Sequence, residues 1–364
     1  MLKPLLLFAG VRILMALAIA WLLPLHDSRP LSATFGDLAL YNGSADGSLP
    51  LWNIPNPLYA VLVRWLDYNH SQLQDWRFVG LSLGLNLAFS AVFVGVACRV
   101  LRPWQALLYA ALLGGHPYLA LYSLKLDTSL FALLPVGLLS AAALTPLRSA
   151  WALLVTALSS LLRNGLLPMG WLQMLWPRRQ WRSLAGAAGI AVLAGSTALQ
   201  MGYGASYVGQ NYGCYSLARV GEWLNAQGLP GWAASALGLV LTPVIHLLLD
   251  LGAREAVANQ CLLLPVSIAQ QPWLHLGATL GFVVLHGWLL WRLVAMVRQL
   301  APMNPPFLQL LFPLAMLLPT LYGAAHMRYL IPIIPVLLLC AFELRGGAAY
   351  YKPSKLAYGN QPLA

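Results

Sequence analysis

The chain has 364 residues, of which 60% are hydrophobic and 9% charged, with a mean hydropathy of +0.70; an average soluble domain carries about a quarter charged residues. That composition excludes an ordinary soluble fold, and apolar runs of roughly 15 to 24 residues recur from end to end, the length that matches a hydrocarbon core of about 30 Å. The net charge of +11 does not point to nucleic acid, because the basic residues cluster at the ends of apolar runs and no glycine-rich phosphate loop, RNA-binding signature or zinc-type cysteine spacing is present.

Lys3 opens the first apolar run, 4–24. Its basic start is like that of a secretory signal, but Arg12 sits in its middle and no small-residue cleavage site follows, so it is read as a retained span. An arginine in mid-span is expensive unless it faces protein or water. Its alternatives are a buried carbonyl, a buried acid, or a place on a donor path. Arg99 with Arg102, Arg148, Arg178 with Arg179 and Arg182, Arg292 with Arg298, and Arg345 with Lys352 and Lys355 mark the cytoplasmic side, since short inner loops collect basic residues. The N-terminus is then cytoplasmic. An outer loop follows over 26–77 and contains an amphipathic stretch at 57–68.

Spans are expected at 78–100, 104–117, 129–143 and 151–162. The short apolar stretch 165–176 reads by parity as one arm of a hairpin whose tip, Arg163-Asn164, faces outward. A span at 184–201 leaves 203–230 outside, and later spans fall at 274–291, 308–322 and 330–342. Segment 232–249 breaks the alternation if it spans, so it is read as a re-entrant or surface-lying helix, with a kinked buried span as the alternative. The expected fold is all-α: a single polytopic transmembrane helical bundle over 1–364, with about 10–11 spans. Nine of the ten acidic residues then lie outside or at outer span ends, Glu343 being the exception. Cys98 and Cys340 fall at inner ends, while Cys214 and Cys261 fall in outer loops, where an oxidising compartment permits a bridge.

Several segments, in order, carry a resemblance. FGDLALY opens the outer loop, followed by the extended WNIPNPLYAVLVRWL. The next span begins at Arg77 and contains LGLNLAF. HPYLALYSLKLDTSLFALLP then brings a tyrosine and an acid to the mouth of a span, LLRNGLLP forms the short hairpin, and HMRYLIPIIPVLLL opens a late span. Together they resemble the GT-C class of membrane glycosyltransferases, in the branch holding protein O-mannosyltransferases and aminoarabinose transferases. The resemblance covers the first half of the chain and its last span; the middle matches by hydropathy alone. It implies an inverting transferase of the bacterial inner membrane that moves a sugar from a polyprenyl-phosphate donor to an acceptor on the outer face.

On that resemblance Asp37 takes the place of the catalytic acid and Asp127 that of a second acidic position. Each has a plainer reading, Asp37 as a loop or helix cap and Asp127 as the N-cap of a helix starting at Thr128 or an ion-pair partner of Lys125. Asp46, in an Asp-Gly pair, reads as a turn. A departing phosphate needs cations, and Lys125, Arg163, His326, Arg328 and Tyr329 lie at outer span ends, where a guanidinium grips phosphate through two parallel bonds. Structural pairing, snorkelling and packing are their alternatives. Tyr41, Trp52 and Tyr59 read as interfacial belt residues, with stacking on a sugar as the alternative. Asp37 and Asp127 without a third ligand leave a divalent metal open. A flippase or transporter is the contrasting reading, expected to show inverted repeats and several charges in mid-membrane. An O-antigen-type ligase or polymerase is the nearer one, expected to carry a long late outer loop.

Overall fold

The computed structural model describes residues 1–22, 56–66, 76–124, 126–144, 149–175, 182–207, 217–249 and 331–342, with isolated positions between 284 and 294. Every regular element among them is helical. In chain order these are α1 (Leu2–Leu22), α2 (Pro57–Trp65), α3 (Trp76–Val100), α4 (Pro103–Gly115), α5 (Pro117–Leu121), a 3-10 turn (Tyr122–Leu124) and α6 (Leu130–Leu144). Then come α7 (Ser149–Leu162), a 3-10 turn (Asn164–Leu166), α8 (Leu167–Leu175), α9 (Leu184–Tyr207), α10 (Leu217–Ala226), α11 (Gly231–Leu249) and α12 (Ile334–Cys340). Proline at the first position of α2 and α4 presets the helical φ, and the Gln105 side chain accepts from the Arg102 N–H at 3.0 Å to close the start of α4.

Helices α1 and α3 are long and apolar enough to cross a membrane. At about 1.5 Å per residue, the 25 residues of α3 are about 37 Å long. The faces of α1 are reversed with respect to a soluble protein. Pro4, Phe8, Arg12 and Ala16, one row at helical spacing, are buried, and Arg12 is 0% exposed. The opposite row carries Leu2, Leu6, Leu14 and Leu17, with Leu6 63% and Leu14 67% exposed. A helix that turns leucine outward and its charge inward is matched to an apolar surround rather than to water. Exposed tryptophans sit near both ends of the bundle, Trp65 and Trp76 at one and Trp104 and Trp151 at the other, the distribution of interfacial belts.

Helix α3 packs on α1 and α6, and its first turns meet Ala16 and Leu124 through Val79. The start of α3 therefore lies at the end of the bundle where α6 begins, called here the Asp127 end; Arg99 and Arg102 lie at the other. Helix α4 runs beside α1, and the closest approach is at Gly114, where an added Cβ would stand 2.8 Å from the Phe8 carbonyl oxygen and 3.1 Å from Val11 Cβ. Helices α7 and α9 run parallel: Gly189 sits against Leu153 and Leu154, and Ser160 Oγ donates to Ser196 Oγ at 3.3 Å, both at the same offset of 36 residues. Between them α8 is the return arm, tied by Trp171 Nε1 donating to Thr197 Oγ1 at 2.9 Å. The expected hairpin after Arg163 is thus present as α7, α8 and α9.

Helices α10 and α11 form a second hairpin. The Leu229 N–H reaches the Leu224 carbonyl at 3.3 Å, the Gly228 N–H reaches Asn225 at 2.9 Å, and Gly228 has φ +89°. This is a Schellman end, with Leu229 packed on Leu224 as such ends require. The segment expected to be re-entrant or surface-lying is one uninterrupted helix of 19 residues, about 28 Å long at the standard rise.

The approach at Gly114 yields a test. Gly114→Ala places a methyl against backbone, which has no rotamer to relieve it, whereas the Cβ of Gly170→Ala would meet only the flexible Leu193 side chain at 2.5 Å. Thermal unfolding in detergent is expected to show Gly114→Ala destabilised by about 1–3 kcal/mol. Gly170→Ala is expected to fall within about 1 kcal/mol of the parent, its strain offset by helix propensity.

Candidate functional site

The site is built on an interruption. Pro117 has no N–H, so the Leu113 carbonyl has no donor four residues on, and α4 stops at Gly115. From His116 to Ser129 the chain turns through α5 and a 3-10 turn while staying inside the bundle: His116, Leu119, Tyr122, Ser123, Leu126, Thr128 and Ser129 are all buried. Irregular backbone in such a setting needs every carbonyl met. Arg12 supplies two donors, Nε to the Gly114 carbonyl at 2.9 Å and Nη2 to the Leu113 carbonyl, and its Nη1 donates to Asn86 Oδ1 at 2.5 Å. Asn86 Nδ2 in turn donates to the Leu119 carbonyl at 3.4 Å. Ser123 Oγ donates to the Ala120 carbonyl and Tyr59 Oη to the Leu126 carbonyl, each at 2.6 Å. Side chains of α1, α2 and α3 thus close a gap that lies between α4 and α6.

Asp127 ends the interruption and is 3% exposed. Its Oδ1 accepts from the Ser129 N–H at 2.8 Å and from the Ser129 hydroxyl, and its carbonyl accepts from the Leu130 N–H at 3.1 Å. This is the geometry of an N-cap, and the positive end of the α6 dipole favours the carboxylate there. The helix-cap reading of Asp127 holds.

Arg163 follows directly on α7 and is 6% exposed. Its N–H donates to the Ser159 carbonyl at 2.8 Å, and its carbonyl accepts from the Leu166 N–H at 3.3 Å to begin the turn into α8. Helices α6 and α7 pack together across the short connection 145–148, so they are antiparallel. The start of α6 and the end of α7, with Asp127 and Arg163, therefore lie at the same end of the bundle. Arg163 stands at the negative end of the α7 dipole, as Asp127 stands at the positive end of α6. Helix α2 lies over this end, packed on α7 and anchored by Tyr59, whose ring meets Phe131 edge-on at 6.1 Å.

The structure brings Asp127 and Arg163 to one end. Asp37, Lys125, His326, Arg328 and Tyr329 lie outside the described residues, as do Cys214 and Cys261. Ile331 and Ile333, just after Tyr329 in the chain, belong to the same contiguous core as Tyr59, Leu126, Leu130 and Leu166. Tyr59 corrects its sequence reading: it is fully buried and hydrogen-bonded, so it is neither a belt residue nor a stacking face. Asn86 lies inside the apolar run LGLNLAF, and its signal in the sequence is the polar row Ser82, Asn86, Ser90 at intervals of one turn, all buried. Among the described residues no three His, Cys, Asp or Glu side chains converge as metal ligands. No family model, curated protein or solved structure matches the chain.

Cap and carboxylate roles of Asp127 separate by substitution. Asn keeps the oxygen that accepts from Ser129, while Ala removes it. Asp127→Ala is expected to be less stable than Asp127→Asn by about 1 kcal/mol in chemical or thermal unfolding. Equal stabilities would remove the cap.

Proposed function

We propose that the protein is a polytopic membrane glycosyltransferase of GT-C type, with the Arg102 end cytoplasmic and the Asp127 end facing outward. It takes a sugar from a polyprenyl-phosphate donor and passes it to an acceptor at that outer end. The observation that supports this most is the meeting, at one end of a bundle with an apolar exterior, of a buried acid on a helix start and a buried arginine on a helix end, under the amphipathic helix α2. Group transfer from a lipid phosphate uses this pair of charges. Asp37 takes the proton of the acceptor as the new bond to the sugar anomeric carbon forms on the face opposite the donor oxygen. The bond from that carbon to the phosphate oxygen breaks, and the phosphate leaves with its negative charge against Arg163, joined by Lys125, His326, Arg328 and Tyr329. Asp127 holds the acceptor or a sugar hydroxyl.

The transporter reading drew on Arg12 as a charge in the middle of a span. That side chain is engaged on all three nitrogens by two carbonyls and Asn86, as a structural arginine is, which favours the enzyme.

The test is turnover. Purified protein given a panel of polyprenyl-phosphate monosaccharides is expected to consume at least one of them, and Asp37→Ala to lower that rate by about a hundredfold or more. Normal turnover in Asp37→Ala would remove the catalytic assignment, and no turnover with any donor would return the transporter.

A further inference from the structure

We propose that Arg12 is the positioning residue of the site: by capping α4 from outside it keeps the helix interrupted at His116-Pro117, and the interruption leaves Asp127 on the N-cap of α6 rather than in the last turn of a prolonged α4. The proposal rests on the reading of Asp127 as a site residue.

The lengths show what the interruption does. Helix α4 has 13 residues, about 20 Å at the standard rise. Run on as a helix to position 128, the same chain would be about as long as α3 and would hold Asp127 in its last turn, at the negative end of the helix dipole. Interrupted, it reaches the same end through α5 and the 3-10 turn, with Leu124 against Val79 near the start of α3, and Asp127 finishes buried on the N-cap of α6. Pro117 removes one bond, but proline alone only kinks a helix; the carbonyls it frees must find donors for the break to persist inside an apolar bundle. Arg12 is suited to this because a planar guanidinium spans acceptors on two helices at once, whereas an ammonium is a point donor. The C-terminal end of α4 also presents the partial negative charge that a buried cation needs. Phe8, one turn earlier, has its ring 5.5 Å from the guanidinium carbon and covers it. The bond between Arg12 and Asn86, and that from Asn86 to Leu119, carry the constraint past the break toward Asp127.

Pro117 allows stability to be separated from positioning. In Arg12→Leu the Leu113 carbonyl loses its donor; adding Pro117→Ala restores an N–H four residues on, which re-forms the helical bond and continues α4. Full-length protein in detergent is compared as wild type, Arg12→Leu, Arg12→Lys and Arg12→Leu/Pro117→Ala. The readouts are thermal midpoint, amide hydrogen exchange over 113–131 and donor turnover. Arg12→Leu is expected to lower the midpoint by roughly 5 °C or more, to speed exchange at 129–131, and to cut turnover about tenfold or more, in kcat rather than KM. The double variant is expected to regain most of the midpoint but neither the slow exchange at 129–131 nor the turnover. Recovery of both with the midpoint would overturn the proposal, since Arg12 would then serve stability alone. Wild-type exchange in Arg12→Leu would overturn it too. If Arg12→Leu does not accumulate, Arg12→Lys is read by the same criteria at smaller amplitude. Absence of turnover in the wild type sinks the transferase reading, while exchange at 129–131 still decides whether Arg12 positions Asp127.

Discussion

An unmet carbonyl inside an apolar bundle costs several kcal/mol, and the stretch from His116 to Ser129 would expose a series of them. Its resolution by Arg12, Asn86, Ser123 and Tyr59 is the constraint on which the rest of the structure depends. Arg12 has to lie at the depth where α4 stops, which sets the height of α1 against α4. Gly114 has to be a glycine for α1 to come that close. Asn86 ties α3 to the same point, and Tyr59 brings α2 over the top. The first four helices of the chain are thereby registered against one break.

The charges follow the same economy. Two buried ionic side chains meet a helix terminus of opposite partial charge, Arg12 at the end of α4 and Asp127 before α6, and a third, Arg163, directly follows α7. None of them turns toward the apolar exterior, which is left to leucine, valine and tryptophan. A bundle arranged in this way has its polar chemistry at one end and along one interior seam. The end supplies the acid and the cation of the proposed transfer, and the seam holds them in place.

Much of the helical framework was legible in the chain. Apolar run lengths and the basic clusters place α1, α3, α6 and α7 within about two residues of their observed bounds and the start of α9 at its observed residue, because a run of that composition satisfies its backbone by itself. The hairpin after Arg163 followed from alternation, and α2 from its amphipathic pattern. The end of α4 falls within two residues of the span end expected at 117, but the burial of the connecting stretch from His116 to Ser129 is not legible in the sequence. A helix was expected over 232–249 as well, and α11 is helical without interruption.

For the candidate site, residue type and position pointed to Asp127 and Arg163, and their being at the same end follows from two helices joined by a short turn. The N-cap was one of several open readings of Asp127, and the contact with Ser129 shows it. What the sequence by itself determined was local: which runs are helices and which residues are too costly to leave unpartnered. Only the tertiary structure decided the partners. Arg12 bonds residues about a hundred positions away, and Tyr59 reaches Leu126. Such pairings depend on which helices become neighbours, a property of the packed bundle that no single apolar run contains.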